Sequence, residues 1–145
     1  MIRVRVSPDP IDIVAETALA EAEGVGGVAT FTGLVRADDG VELLELEHYH
    51  GATEAALSRL AEEAVARWSL AGATVVHRVG PMRPGERIVF VAAAAAHRAG
   101  ALDACAFLID RLKTDAPFWK RETRGPERRW VEAREADDAA AERWR

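Results

Sequence analysis

The longest apolar run of the chain, "IVFVAAAAA" from Ile88 to Ala96, sets the tightest limit on what it can fold into. A helix that crosses a membrane needs roughly 18 or more apolar residues in a row, about twice this length. Preceded by the turn-rich "PMRPG", the run reads instead as part of a strand, "ERIVFVAAAAA". A second strand, "ATVVHRVG", lies on the other side of that turn.

The rest of the chain supplies further strands and helices to set around this pair. "IRVRV" (Ile2–Val6) alternates apolar and basic residues, as a half-buried strand does. Pro10 opens a predicted helix running to about Glu23, with Ile11, Val14, Ala18 and Leu19 on one face, and "GVGG" ends it. "VATFTGLVR" (Val28–Arg36) and "VELLELEHYH" flank the turn "ADDG", which predicts a β-hairpin. Thr53 is the expected cap of a second helix that turns Ala56, Leu57, Leu60 and Val65 inward. A third helix is expected from Ala99 to about Asp115, burying Leu102, Ala106, Ile109 and Leu112. Beyond Pro117 the chain reads as extended through "FWKRET", "RRWVEARE" as a last short strand, and the alanine-rich end as a weak helix. Hairpin-linked strands with three main helices give an α+β class and a mostly antiparallel sheet. With 145 residues and neither repeat nor linker, one domain over 1–145 is expected.

A net charge of −5 argues against general nucleic-acid binding, which depends on a basic surface that neutralises phosphates. From His97 to Arg129, however, eight Arg/Lys stand against five Asp/Glu. A cationic patch within an acidic chain suits a small anion or an anionic tail. The lone Cys105 excludes an internal disulfide and a multi-cysteine zinc site, and the N-terminus lacks the layout of a secretion signal. Both fit a reducing cytoplasm.

Inside the cationic region, "LKTDAPFWKRE" (Leu112–Glu122) holds Lys113 and Lys120, and the other 17 of the chain's 19 Lys/Arg residues are arginine. Pro117 cannot continue a helix, so the chain must turn between the two lysines. Fully extended, seven residues would hold them ~23 Å apart, whereas a turn at Asp115–Pro117 lets both enter one pocket, walled by Phe118 and Trp119. Mutual repulsion and burial favour a neutral amine there, a state arginine does not reach. The plain alternative is a solvated lysine capping a helix C-terminus.

Other residues carry weaker signals. His97 and Arg98 fall where a strand gives way to a helix N-terminus, a phosphate-type clamp or else two solvated loop residues. Arg36, at a strand end, is a second anion-ligand candidate. His48 and His50 share a strand face at a spacing that metals use, yet no third ligand of matching spacing accompanies them. His77 reads as structural, and Cys105 as a small buried hydrophobe. "GVGG" lacks the spacing of either nucleotide-binding glycine motif.

Taken in order, "VATFTGLVR", "LELEHYHGATE", "HRVGPMRPGE", "FVAAAAAHR", "LKTDAPFWKRE" and "RWVEARE" resemble the MoaE family, the large subunits of molybdopterin synthase. The resemblance implies an α/β-hammerhead-type fold in a homodimer. Each subunit would receive the C-terminal Gly-Gly thiocarboxylate tail of a small ubiquitin-like sulfur carrier, completing a heterotetramer. It implies transfer of two sulfurs to the pterin phosphate substrate, cyclic pyranopterin monophosphate, with neither cofactor nor metal. Carried over by position, Lys113 and Lys120 are the implied catalytic lysines, with Arg121 and Glu122 in the substrate-contacting triplet. His97 and Arg98 match the pterin-phosphate ligands, contributed across the dimer interface. Leu34, Val35 and Arg36 match a further contact segment, in which Leu34 is apolar where relatives often carry a polar or basic residue. Arg134 matches a supporting position. Two rival readings use the same cations: a non-catalytic adaptor for a ubiquitin-like tail, and an unrelated enzyme forming a Schiff base on lysine.

Overall fold

A computed structural model describes residues 1–131 and 135–145, and so does not include Arg134. In chain order the elements are β1 (Ile2–Ser7), α1 (Ile13–Ala20), β2 (Gly27–Leu34), β3 (Leu43–His48), α2 (Ala52–Trp68), β4 (Gly72–Arg78), β5 (Gly80–Met82), β6 (Arg87–Ala95), α3 (Arg98–Asp115), β7 (Phe118–Arg124), β8 (Glu127–Val131) and α4 (Glu135–Glu142). The strands form two sheets of four, ordered β1-β4-β6-β2 and β5-β3-β7-β8. Pairing is antiparallel throughout except between β1 and β4.

The apolar run that opened the sequence becomes β6, an inner strand buried from Ile88 to Ala95. Its residues do not alternate because both faces are covered: Val89, Val91 and Ala93 join a core with α2 and α3, while Phe90 and Ala92 pack with Ile11 and Val76 beside α1. Strands buried on both faces read as continuous apolar runs.

The predicted hairpin does not form. β2 pairs with β6, from Gly27↔Ala95 to Leu34↔Arg87, while β3 lies in the other sheet between β5 and β7. The turn at Asp38–Gly40 is thus a corner between sheets. An isolated two-stranded ribbon is marginal in water, whereas β2 gains a fully buried neighbour by pairing with β6. The second sheet was not foreseen, and part of its edge is β5, whose Pro81 and Met82 belong to the expected turn "PMRPG". There Met82 is fully buried opposite Leu44.

Three helix readings also need correction. α1 starts at Ile13, where Asp12 accepts a hydrogen bond from the Ala15 amide (3.1 Å), and stops at Ala20. Val14 and Leu19 are exposed, and the residue turned inward is Glu16, held by Arg3 at 2.9 Å and Arg5 at 3.4 Å from β1. Thr53 is not the cap of α2: Gly51 takes that place at φ 82°, and its amide donates to Glu54 (2.9 Å). Thr53 sits fully buried in the first turn, where its hydroxyl donates to the Pro117 carbonyl. In α3, Leu102 is exposed, and Ala104, Phe107 and Leu108 are buried beside Leu112. The helix ends as expected before Pro117, with Ala116 as its C-cap.

No helix among the described residues is long and apolar enough to cross a membrane.

Candidate active site

The end of α3 and the start of β7 enclose a cleft of about 630 Å³ together with the Leu34–Asp38 segment. Lys113, in the last turn of α3, and Lys120, in β7, both line it, so the turn at Ala116–Pro117 does bring the pair to one cavity. Side chains alternate along a strand, which places Phe118, Lys120 and Glu122 on the cleft side of β7. Trp119 and Arg121 face the other way. Trp119 therefore does not wall the cleft, and packs edge-on against Tyr49 at 4.2 Å. Arg121 pairs with Glu45 at 2.9 Å, next to Arg128 at 3.1 Å. The Arg121 hydrogen bond is the main reason the Glu45 carboxyl lies below the usual carboxylate range.

Leu34, Val35 and Arg36 all line the cleft, but differently. Leu34 is exposed, whereas Val35 is buried and its backbone is tied to Glu86 and Gly85 (2.9 and 2.8 Å). Arg36 is exposed and paired with Asp38 at 3.2 Å. Glu122 is held by Arg124 at 2.8 Å.

His97 and Arg98 stand apart from this group. Both are exposed, and His97 is the N-cap of α3 in extended geometry. Arg98 opens the helix that Lys113 closes, and a rise of ~1.5 Å per residue puts the two ~22 Å apart along its axis. One small ligand cannot touch both within one chain. The approach to His97 is fixed by Gly26, where a Cβ would overlap the Ala96 carbonyl.

His77, which the sequence alone reads as structural, also lines the cleft. It sits at the end of β4, buried, with Nδ1 2.8 Å from the Arg78 carbonyl and its ring stacked on Phe118 at 4.1 Å. Burial, and then the charges of Lys113 and Lys120, push its pKa down to about 3 from an ordinary 6.5. A clue was available: His77 opens "HRVGPMRPGE", one of the blocks in which the sequence resembles the MoaE family. The shift has a sign. Between pH 6.5 and 3 the unfolded ring binds a proton that the folded ring refuses, so the stabilisation is complete above 6.5 and is lost as pH falls. From pH 7 to 4.5 the loss is about 2 kcal/mol in urea unfolding, and His77→Gln flattens that slope.

His48 and His50 have rings 4.4 Å apart, and His48 lies 3.3 Å from Glu54. Among the described residues no group of three or more His, Cys, Asp or Glu side chains is placed to hold a metal. Cys105 is buried in α3, and burial pushes its thiol up to about 11.

Residues 6–115 match the family described as MoaE protein. The chain is 52% identical to the molybdopterin synthase catalytic subunit of Mesorhizobium japonicum, over 98% of this chain and 92% of that one. Its fold superposes on the molybdopterin biosynthesis MoaE protein of Burkholderia ambifaria with a TM-score of 0.86 and 47% identity, covering 99% and 98% of the two chains. Molybdopterin synthase from Staphylococcus aureus superposes with a TM-score of 0.83 at 31% identity, over 88% and 95%. Likeness of this extent in sequence and in fold establishes that the chain belongs to the MoaE family.

Proposed function

We propose that the chain, acting as one domain over residues 1–145, is the catalytic subunit of a sulfurtransferase that converts cyclic pyranopterin monophosphate to molybdopterin. The sulfur comes from the C-terminal thiocarboxylate of a small ubiquitin-like partner in the cytoplasm. The observation that carries this reading is that Lys113 and Lys120, the only two lysines of an arginine-rich chain, line one cleft with Arg36. The partner's anionic tail enters this cleft and ends beside the lysines. The distance from Lys113 to Arg98 supports a homodimer in which the second subunit brings His97 and Arg98 to the pterin phosphate. Two partners on that dimer make a heterotetramer.

Thiocarboxylate sulfur attacks a side-chain carbon of the pterin: a C–S bond forms as a C–O bond at that carbon breaks and its oxygen is expelled, and the tail is left joined as a thioester. An ammonium beside the acyl oxygen stabilises the charge that develops there when water attacks. Hydrolysis breaks the acyl–sulfur bond, leaves sulfur on the pterin and frees the tail as a carboxylate. A second loaded partner supplies the other sulfur. Glu122 faces the same cleft and steadies its wall through Arg124, while Arg121 supports β7 from behind. Arg134 is assigned a supporting role on the resemblance alone.

Mixing the purified chain with thiocarboxylated partner and pterin precursor tests this. The expected result is a dithiolene product, with two carboxylate-ended tails released per pterin. Tight partner binding without sulfur transfer would establish the adaptor reading instead, and borohydride trapping of substrate on Lys113 the Schiff-base one.

A further inference from the structure

We infer that His77 is a positioning residue for this reaction: its Nε2 is a neutral hydrogen-bond acceptor in the cleft, whose one lone pair orients a lysine ammonium group without cancelling its charge. The inference deepens the sulfur-transfer reading and rests on it for its kinetic part only.

Three observations lead there. First, a carbonyl oxygen can only accept, so the 2.8 Å contact makes Nδ1 the protonated nitrogen and leaves Nε2 with a lone pair. Second, the ring cannot easily turn away. His77 is paired between Val6 and Val89, and its face stacks on Phe118 at 4.1 Å and 26°, which links the first sheet to the second. Its backbone anchor is itself braced, because the Arg78 guanidinium donates to the Pro8 carbonyl at 3.1 and 3.3 Å. Third, the ring lines the same cleft as Lys113 and Lys120, close enough for both charges to oppose its protonation.

The choice of side chain then has a physical reason. A carboxylate in this place would orient an ammonium more strongly, but it would also offset the positive charge that an anionic tail needs. Neutral imidazole accepts the N–H bond and leaves the charge in place. Held at a pKa of about 3, it stays neutral throughout the physiological range.

Two isosteric replacements separate this role from simple packing. His77→Asn keeps a donor where Nδ1 stands and removes the acceptor at Nε2, whereas His77→Gln keeps a polar group at the Nε2 position. With thiocarboxylated partner and precursor, His77→Asn is expected to lower kcat by about 10²-fold with KM little changed, and His77→Gln to stay within several-fold of wild type. A readout independent of turnover, and of whether those variants fold, is the ¹⁵N shift of His77 Nε2 in the otherwise unaltered full-length protein. It is expected at an unprotonated value and to move when Lys113→Ala or Lys120→Ala is introduced. Equal kcat losses in the two His77 variants, or an Nε2 shift indifferent to both lysine replacements, would overturn the assignment. Failure of the unaltered protein to make any dithiolene would instead sink the sulfur-transfer reading, and leaves the NMR test standing.

Discussion

Lys113→Ala is expected to lower molybdopterin formation by about 10³-fold while partner binding and thermal unfolding stay close to wild type. The residue is exposed in the last turn of α3, so truncating it opens no core cavity. What is lost is the ammonium next to the thioester as water attacks. Lys113→Arg separates two contributions to that loss. Arginine restores the positive charge, but its longer, planar guanidinium does not set an N–H donor where the compact ammonium stood. It should therefore recover capture of the anionic tail and leave turnover low. Single-turnover rates with thiocarboxylated partner decide the matter. A Lys113→Ala protein that converts precursor at the normal rate would remove Lys113 from the chemistry.

Phe107→Ala is expected to cost about 4 kcal/mol in denaturant unfolding, the range for deleting a fully buried aromatic ring. Phe107 has no exposed surface, and it is the meeting point of three parts of the chain. Its ring lies 5.0 Å from Trp68 of α2 and 5.7 Å from Trp144 past α4, both edge-on, and the Arg111 guanidinium covers it at 5.2 Å. Trp144 is held further by its indole N–H to Asp110 at 2.7 Å and by Arg67 on its carbonyl at 2.8 Å. Loss of the ring should loosen the C-terminal segment along with α3, and with it the helix end that carries Lys113. A midpoint change equivalent to less than about 1 kcal/mol would mean that the cluster is not part of the cooperative core.

How much of this was legible in the chain differs from feature to feature. The strands β1, β4 and β6 and the extent of α3 follow from local pattern, because alternation, an uninterrupted apolar run and a proline after a helix act over a few residues. The lysine pair was legible too, since chain geometry at Pro117 requires a turn. Trp119 does not wall the cleft because of strand parity at β7: with Lys120 facing the cleft, both its neighbours face away. α1 failed for a different reason. Apolar spacing pointed to Val14 and Leu19, but two arginines on β1 drew Glu16 inward, and a partner 11 to 13 residues distant leaves no local periodic trace.

Residue order alone determined the element types other than β5, the confinement of lysine to one segment and the turn that lets two ammonium groups meet. Only the tertiary structure decided that β2 and β3 part into different sheets, that His77 lines the cleft, and that Arg98 lies a helix-length from Lys113. The reason is physical: backbone preferences and side-chain alternation are settled between near neighbours, whereas strand partners and cleft walls are chosen by which distant surfaces bury each other best.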